Sequence, residues 1–225
     1  MSSLSLAFDS KSNTDPNKIL PFKFPWAWEI YKKSLANHWV PEEISMQRDI
    51  EQWKSNALSE DERKMVLWNL GFFSTAESLT ANNLVLAVYR HLPIPEFRQY
   101  LLRQAFEEAI HTHMFIYCCD SLGLDPNNIY GMYQTIESIK NKDDYIISLT
   151  QNLLDSSFEV NIEKPETLQK LLLNLIGFYL IMEGIFFYAG FAMMLGMKNQ
   201  RKLVGIGEQF EYTLRDESLH VQFGV

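Results

Sequence analysis

Apolar positions along the chain recur with a period near 3.6 and nowhere alternate as a strand would require. A Ser59-x-x-Glu62 pair opens one long run, in which Val66, Leu70, Phe73, Glu77 and Leu84 share a stripe, and Pro93 and Pro95 follow its end near His91. Pro95 suits the first turn of the next run, which Gly123 closes. On its inner face lie Leu101, Gln104, Glu108, His111, Phe115, Cys118 and Leu122. Before these, FPWAWEIYKKSLANHW (24–39) reads as a short amphipathic helix stopped by Pro41. After them, residues 125–140 and 143–154 read as shorter helices, with a polar loop near Glu159 to Glu166. A long apolar helix is predicted from about Thr167 to Met197. A last run after Asn199 puts Leu203, Ile206, Phe210, Glu217 and His220 on one stripe. With no solenoid-type repeat, the fold is all-α.

Acids and imidazoles interrupt these stripes. An unpaired buried carboxylate is costly, so such a group is paired, hydrogen-bonded, neutralised or bound to metal. Residues 175–197 have the length of a membrane span and a single charge, Glu183, near the middle. A carboxylate at a bilayer centre is expensive, whereas a helix apolar all round suits the middle of a large bundle, so no membrane is expected.

At 225 residues and 47% hydrophobic content the chain can bury a large core as one globular domain. A net charge of −8 and a pI near 5.2 argue against nucleic-acid binding, which calls for a basic footprint. Cys118 and Cys119 are adjacent on a helix, a poor geometry for a mutual disulfide, and fit a reducing cytosol. The first residues lack a basic start followed by an apolar run, so residues 1–24 read as a flexible arm and 25–225 as the domain.

The chemistry lies in two Glu-x-x-His motifs, Glu108 to His111 and Glu217 to His220. Each follows a lone glutamate on an apolar stripe: Glu77 lies 31 residues before Glu108, and Glu183 lies 34 before Glu217. Each interval suits one helix, a turn and part of an antiparallel partner. Two hairpins could therefore each bring two carboxylates and an imidazole to one centre, the pattern of ferritin-like helical bundles with a dinuclear metal site in the core. Two divalent cations would balance four glutamates, and oxygen-rich, imidazole-containing ligation suits iron or manganese that must meet dioxygen. His38, His91 and His113 fall off this pattern and read as ordinary.

Through NHWVPEEI, STAES, EEAIH, MEGIFFYAGF and RDESLH, in that order from about Phe22 to Val225, the chain resembles the small, radical-generating subunit of class I ribonucleotide reductase. The resemblance implies Glu77, Glu108, His111, Glu183, Glu217 and His220 as metal ligands, with Trp39 and Asp216 carrying an oxidising equivalent toward a large catalytic subunit. It further implies activation by O2, a homodimer, and formation of a cysteine radical in the large subunit that starts reduction of ribonucleotides to 2′-deoxyribonucleotides. Most members place the radical tyrosine four residues after the first ligand histidine; Phe115 stands there. This is similar to the subgroup that stores its oxidant on the metals, so Mn/Fe is favoured, with Fe/Fe the alternative. Tyr117 and Tyr212 match positions that the subgroup associates with electron delivery during activation, and packing alone would place them equally well. Family members continue past the position of Val225 through further helices to a docking tail, so a C-terminally truncated chain is expected. Two other readings share the ligands: a related ligand-binding Mn/Fe oxidase and a ferritin-type iron-storage protein.

Overall fold

The structure, a computed structural model, describes residues 15, 17–161 and 163–225, apart from the side chain of residue 152. Most of the predicted arm, residues 1–14 and 16, lies outside the described residues. Its last two, Lys23 and Phe24, each donate a backbone N–H to Glu96 Oε1 at 2.6 Å.

Ten α-helices follow among the described residues: α1 Pro25–Ala36, α2 Gln47–Lys54, α3 Glu60–Asn82, α4 Pro95–Leu122, α5 Pro126–Tyr130, α6 Met132–Thr135, α7 Glu137–Leu154, α8 Pro165–Leu175, α9 Phe187–Asn199 and α10 Val204–Gly224. The local signals act as expected. Ser59 and Glu62 form a reciprocal capping box on α3, Pro95 occupies the first turn of α4, and Gly123 ends α4 in the left-handed conformation at φ 67°.

Three features depart from the periodic reading. The helix predicted over 24–39 ends at Ala36, which leaves Trp39 on the connection to a short 3-10 turn at Pro41–Glu43. Wide π turns, with i→i+5 hydrogen bonding, prolong α3 over Asn83–Val88 and join α8 to α9 over Ile176–Phe186. Beside both, the side-chain amides of Asn83 and Asn174 exchange hydrogen bonds of 3.1 and 2.9 Å, and Thr150 donates to Asn83. The third concerns burial. The continuous 35-residue helix Pro165–Asn199 could cross a membrane by length and composition, yet only one face is covered. Phe178, Met182, Glu183, Phe187 and Phe191 are buried, while Leu173, Ile176, Leu180 and Ile185 are exposed, so it is not the all-round core helix predicted.

α3 packs along α4, and α9 along α10. Following each inner stripe shows how the bundle frames the site. One apolar cluster holds Phe73, Phe115, Phe187 and Phe210; a second holds Leu84, Leu101, Tyr179 and Phe223. Each of the four long helical runs of this bundle passes from one cluster to the other, and the glutamates and histidines fall between. The polar layer thus sits midway along the helices, sealed by apolar packing at both ends.

Candidate metal centre

Glu77, Glu108, His111, Glu183, Glu217 and His220 are all fully buried. Their ligand atoms form two groups, Glu77, Glu108, His111 and Glu217 in one, Glu108, Glu183, Glu217 and His220 in the other, each within 4.8 Å. The two groups share Glu108 and Glu217. Two cations would each find there one further glutamate and one imidazole, Glu77 with His111 and Glu183 with His220, beside the two shared carboxylates. Both oxygens of Glu77 and Glu108, Glu183 Oε2, Glu217 Oε1 and His111 Nδ1 have no hydrogen-bond partner. Buried polar atoms are rarely left so, and a pair of cations answers all of them at once. The donor set, carboxylate oxygen and imidazole nitrogen without thiolate, is that of a dinuclear metal centre for hard or borderline ions.

The imidazoles are oriented for this role. His111 Nε2 lies 3.3 Å from Asp216 Oδ2 and His220 Nε2 lies 3.1 Å from Glu107 Oε2. A proton on each Nε2 leaves each Nδ1 lone pair facing the carboxylates, His111 Nδ1 at 3.2 Å from Glu217 and His220 Nδ1 at 3.1 Å from the same residue. Burial raises the Glu77 and Glu183 carboxyls well above their ordinary range. It opposes charge on both imidazoles, but the surrounding carboxylates, Glu77 foremost for His111 and Glu217 for His220, outweigh it and raise both. Burial likewise opposes charge on Glu108 and Asp216. For Glu108 the close imidazoles of His111 and His220 outweigh it, for Asp216 the hydrogen bond and charge of His111 do, and both acids are held low. Protons must therefore leave the site as cations enter.

Trp39 is buried, and its Nε1 donates to Asp216 Oδ2 at 2.7 Å, the oxygen that also meets His111. Three donors pin the chain around it: Arg215 to the Asn37 carbonyl, Gln209 Nε2 to Pro41 O at 2.9 Å, and the Tyr117 hydroxyl to Ile44 O at 3.1 Å. Tyr212 stands edge-on to Trp39 with centroids 5.3 Å apart. Tyr117 has no hydrogen bond to Trp39 or Asp216 among the described residues, so the two predicted tyrosines part company here. Phe115 is buried, stacks on Phe73 at 5.4 Å and meets Phe210 edge-on at 5.7 Å. His113 pairs with Glu42 on the surface, His38 packs on Phe106, and His91 accepts from Arg90, all outside the centre.

The family of known proteins described as "Ribonucleotide reductase, small chain" matches residues 16–225. The chain belongs to this ribonucleotide reductase small-chain family. It is 54% identical over 214 residues to the ribonucleoside-diphosphate reductase subunit beta of Chlamydia pneumoniae, covering 95% of this chain and 61% of that one. Among solved structures, a ribonucleotide reductase R2 subunit from Clostridium botulinum superposes with a TM-score of 0.78 at 28% identity, over 90% of this chain and 60% of that one. An R2-like ligand-binding oxidase from Sulfolobus acidocaldarius, at 23% identity and TM-score 0.76 over 88% of this chain and 70% of that one, shares the fold. The chain spans about 60% of the length of the first two relatives.

Three residues of this small chain escaped the sequence reading. Gln104 was placed on the inner stripe without a role; its Nε2 donates to Glu183 Oε1 at 3.1 Å, and its own Oε1 accepts from the Tyr179 hydroxyl at 2.8 Å. Asp49, on the unpredicted α2, caps α10 by accepting from Gly205 N at 3.0 Å and Ile206 N at 2.6 Å. Glu107 was passed over because only its neighbour fits the Glu-x-x-His spacing. Its signal was available, since it precedes Glu108 as Asp216 precedes Glu217.

Proposed function

We propose that this chain is the radical-generating small subunit of a cytoplasmic ribonucleoside-diphosphate reductase. It works as a homodimer with a large catalytic subunit, through a dimetal-carboxylate domain over 25–225 that follows an arm over 1–24. The observation that carries the reading is the single oxygen of Asp216 that meets both the Trp39 indole and the His111 imidazole. Glu77, Glu108, His111, Glu183, Glu217 and His220 are the ligands. When bound and activated by O2, the metal pair supplies a one-electron oxidising equivalent.

This chain's part is to hold the route still. Asp216 Oδ2 accepts from both His111 Nε2–H and Trp39 Nε1–H, and the pinned turn fixes the indole edge-on to Tyr212. An electron drawn through Trp39 and Asp216 from a thiol of the large subunit, whose proton departs as well, leaves the cysteine radical that begins ribonucleotide reduction. Phe115 has no phenolic proton to lose and is buried against Phe73 and Phe210, which supports an oxidant kept on the metals and favours Mn/Fe over Fe/Fe. The Tyr212 ring against Trp39 supports a role in delivering electrons during activation. Tyr117, held on a backbone carbonyl, has the weaker claim.

Loading the chain with Mn(II) and Fe(II), admitting oxygen and recording bound metals with the electron paramagnetic resonance spectrum tests this. One manganese and one iron per chain with a metal-coupled signal is the expected result, and Trp39→Phe is expected to keep that signal yet lose turnover with a large subunit. Iron alone, with no persistent oxidised state, contradicts the metal-stored oxidant.

A further inference from the structure

Each Glu-x-x-His motif is preceded directly by a second acid, and the two acids cross. Asp216 on α10 reaches His111 on α4, while Glu107 on α4 reaches His220 on α10. Glu107 is 1% exposed and uses both oxygens. Oε2 faces His220 Nε2 at 3.1 Å, and Oε1 takes Arg103 Nε at 3.1 Å and Nη2 at 3.0 Å. Arg103, itself 8% exposed, is anchored in turn by donating Nη2 to the Ser34 carbonyl of α1 at 3.0 Å. The arms therefore differ in what hydrogen-bonds the carboxylate: an oxidisable indole on Asp216, whose other oxygen lies 3.6 Å from Arg215 Nε, and a guanidinium that gives up no electron on Glu107.

We propose that Glu107, clamped by Arg103, is the positioning residue of His220, the counterpart of Asp216 at His111, and that it sets metal retention at the half of the centre built on Glu183 and His220. The physical case is direct. A carboxylate on Nε2–H fixes which nitrogen carries the proton and how the ring is turned, so Nδ1 stays aimed at the Glu108 and Glu217 group. Arg103 holds one oxygen of that carboxylate, Oε1, with two nitrogens of its rigid fork, and its charge lets Glu107 remain buried without adding a fifth uncompensated acid to the core. Losing an imidazole's carboxylate partner typically weakens metal binding about 10–100-fold.

This inference rests on the dimetal reading, and one experiment separates the two. Mn(II) is titrated into the wild-type chain, Glu107→Gln and Asp216→Asn, with free Mn(II) read by electron paramagnetic resonance and each position's occupancy by anomalous diffraction. Two tight positions are expected in wild type. In Glu107→Gln the His220 position is expected to weaken about 10–100-fold while the His111 position holds, and Asp216→Asn is expected to do the reverse. Equal loss at both positions, or none, in Glu107→Gln overturns the proposal while leaving the metal centre standing. Failure of wild type to bind two Mn(II) overturns the metal reading and this one with it. Should Glu107→Gln not fold, Arg103→Gln/Glu107→Gln removes the buried charge with its partner and must show the same one-sided loss.

Discussion

Glu77 and Glu183 occupy matching places in the two hairpins, yet the chain holds them differently. Glu77 stands on a regular α-helix six residues before the wide turns begin, and neither of its oxygens has a hydrogen-bond partner. Glu183 stands inside eleven residues of wide turns, with Oε1 held by Gln104, whose amide is itself fixed by Tyr179. One unshared glutamate is thus held by a protein hydrogen bond, and the other relies on the cations for order. A π turn inserts a residue per turn and reorients the side chains that follow, and such turns recur at functional sites. Here the irregular backbone carries the glutamate that is better tied down.

The largest effects should come from carboxylates common to both halves. Glu108→Ala or Glu217→Ala is expected to abolish binding of both cations, whereas Glu77→Ala or Glu183→Ala should spare one, as counted by bound Mn(II). Equal losses from all four would erase the distinction between shared and unshared ligands.

Next comes pH. Glu77, Glu183, His111 and His220 all have raised values in the folded chain, so the metal-free fold binds more protons than the unfolded chain. The histidine contribution is complete below the unfolded value near 6.5 and fades as pH rises through the raised folded values; the raised glutamates cost stability once pH passes their unfolded value near 4.5. Glu108 and Asp216, held low, have the opposite sign, and their contribution is lost only on acidification toward their folded values. Cations require deprotonated ligands. The rise in Tm on adding Mn(II) should therefore be larger at pH 8 than at pH 6, and a rise that shrinks with pH would contradict the assignment.

Smaller and one-sided is Gln104→Leu, which strips the hydrogen bond from Glu183 and should weaken one Mn(II) position about tenfold with the other unchanged. Smallest for the centre is Asp49→Ala. It leaves the Gly205 and Ile206 N–H groups without their acceptor and should cost about 2 kcal/mol in urea unfolding, with two Mn(II) still bound.

Much of this was legible in the residue order. The capping box at Ser59, the left-handed Gly123 and the 31- and 34-residue intervals are local or periodic signals, and the bundle and its metal centre follow from them. What escaped depends on partners distant in sequence. The wide turns adjoin an amide pair between Asn83 and Asn174, 91 residues apart, which no apolar period reveals. α2 has only Ile50 and Trp53 to mark a face, and its reason to exist is the cap that Asp49 places on α10. Glu107 carries a spacing signal that becomes informative only when helices α4 and α10 are seen to cross-connect.

Mn(II) loading followed by electron paramagnetic resonance tests the central claim most directly. Two cations per chain sharing Glu108 and Glu217 must be magnetically coupled, so the account predicts two bound Mn(II) with a coupled spectrum and no isolated six-line signal. A single Mn(II), or two that behave as independent ions, would contradict a centre in which both hairpins share two carboxylates.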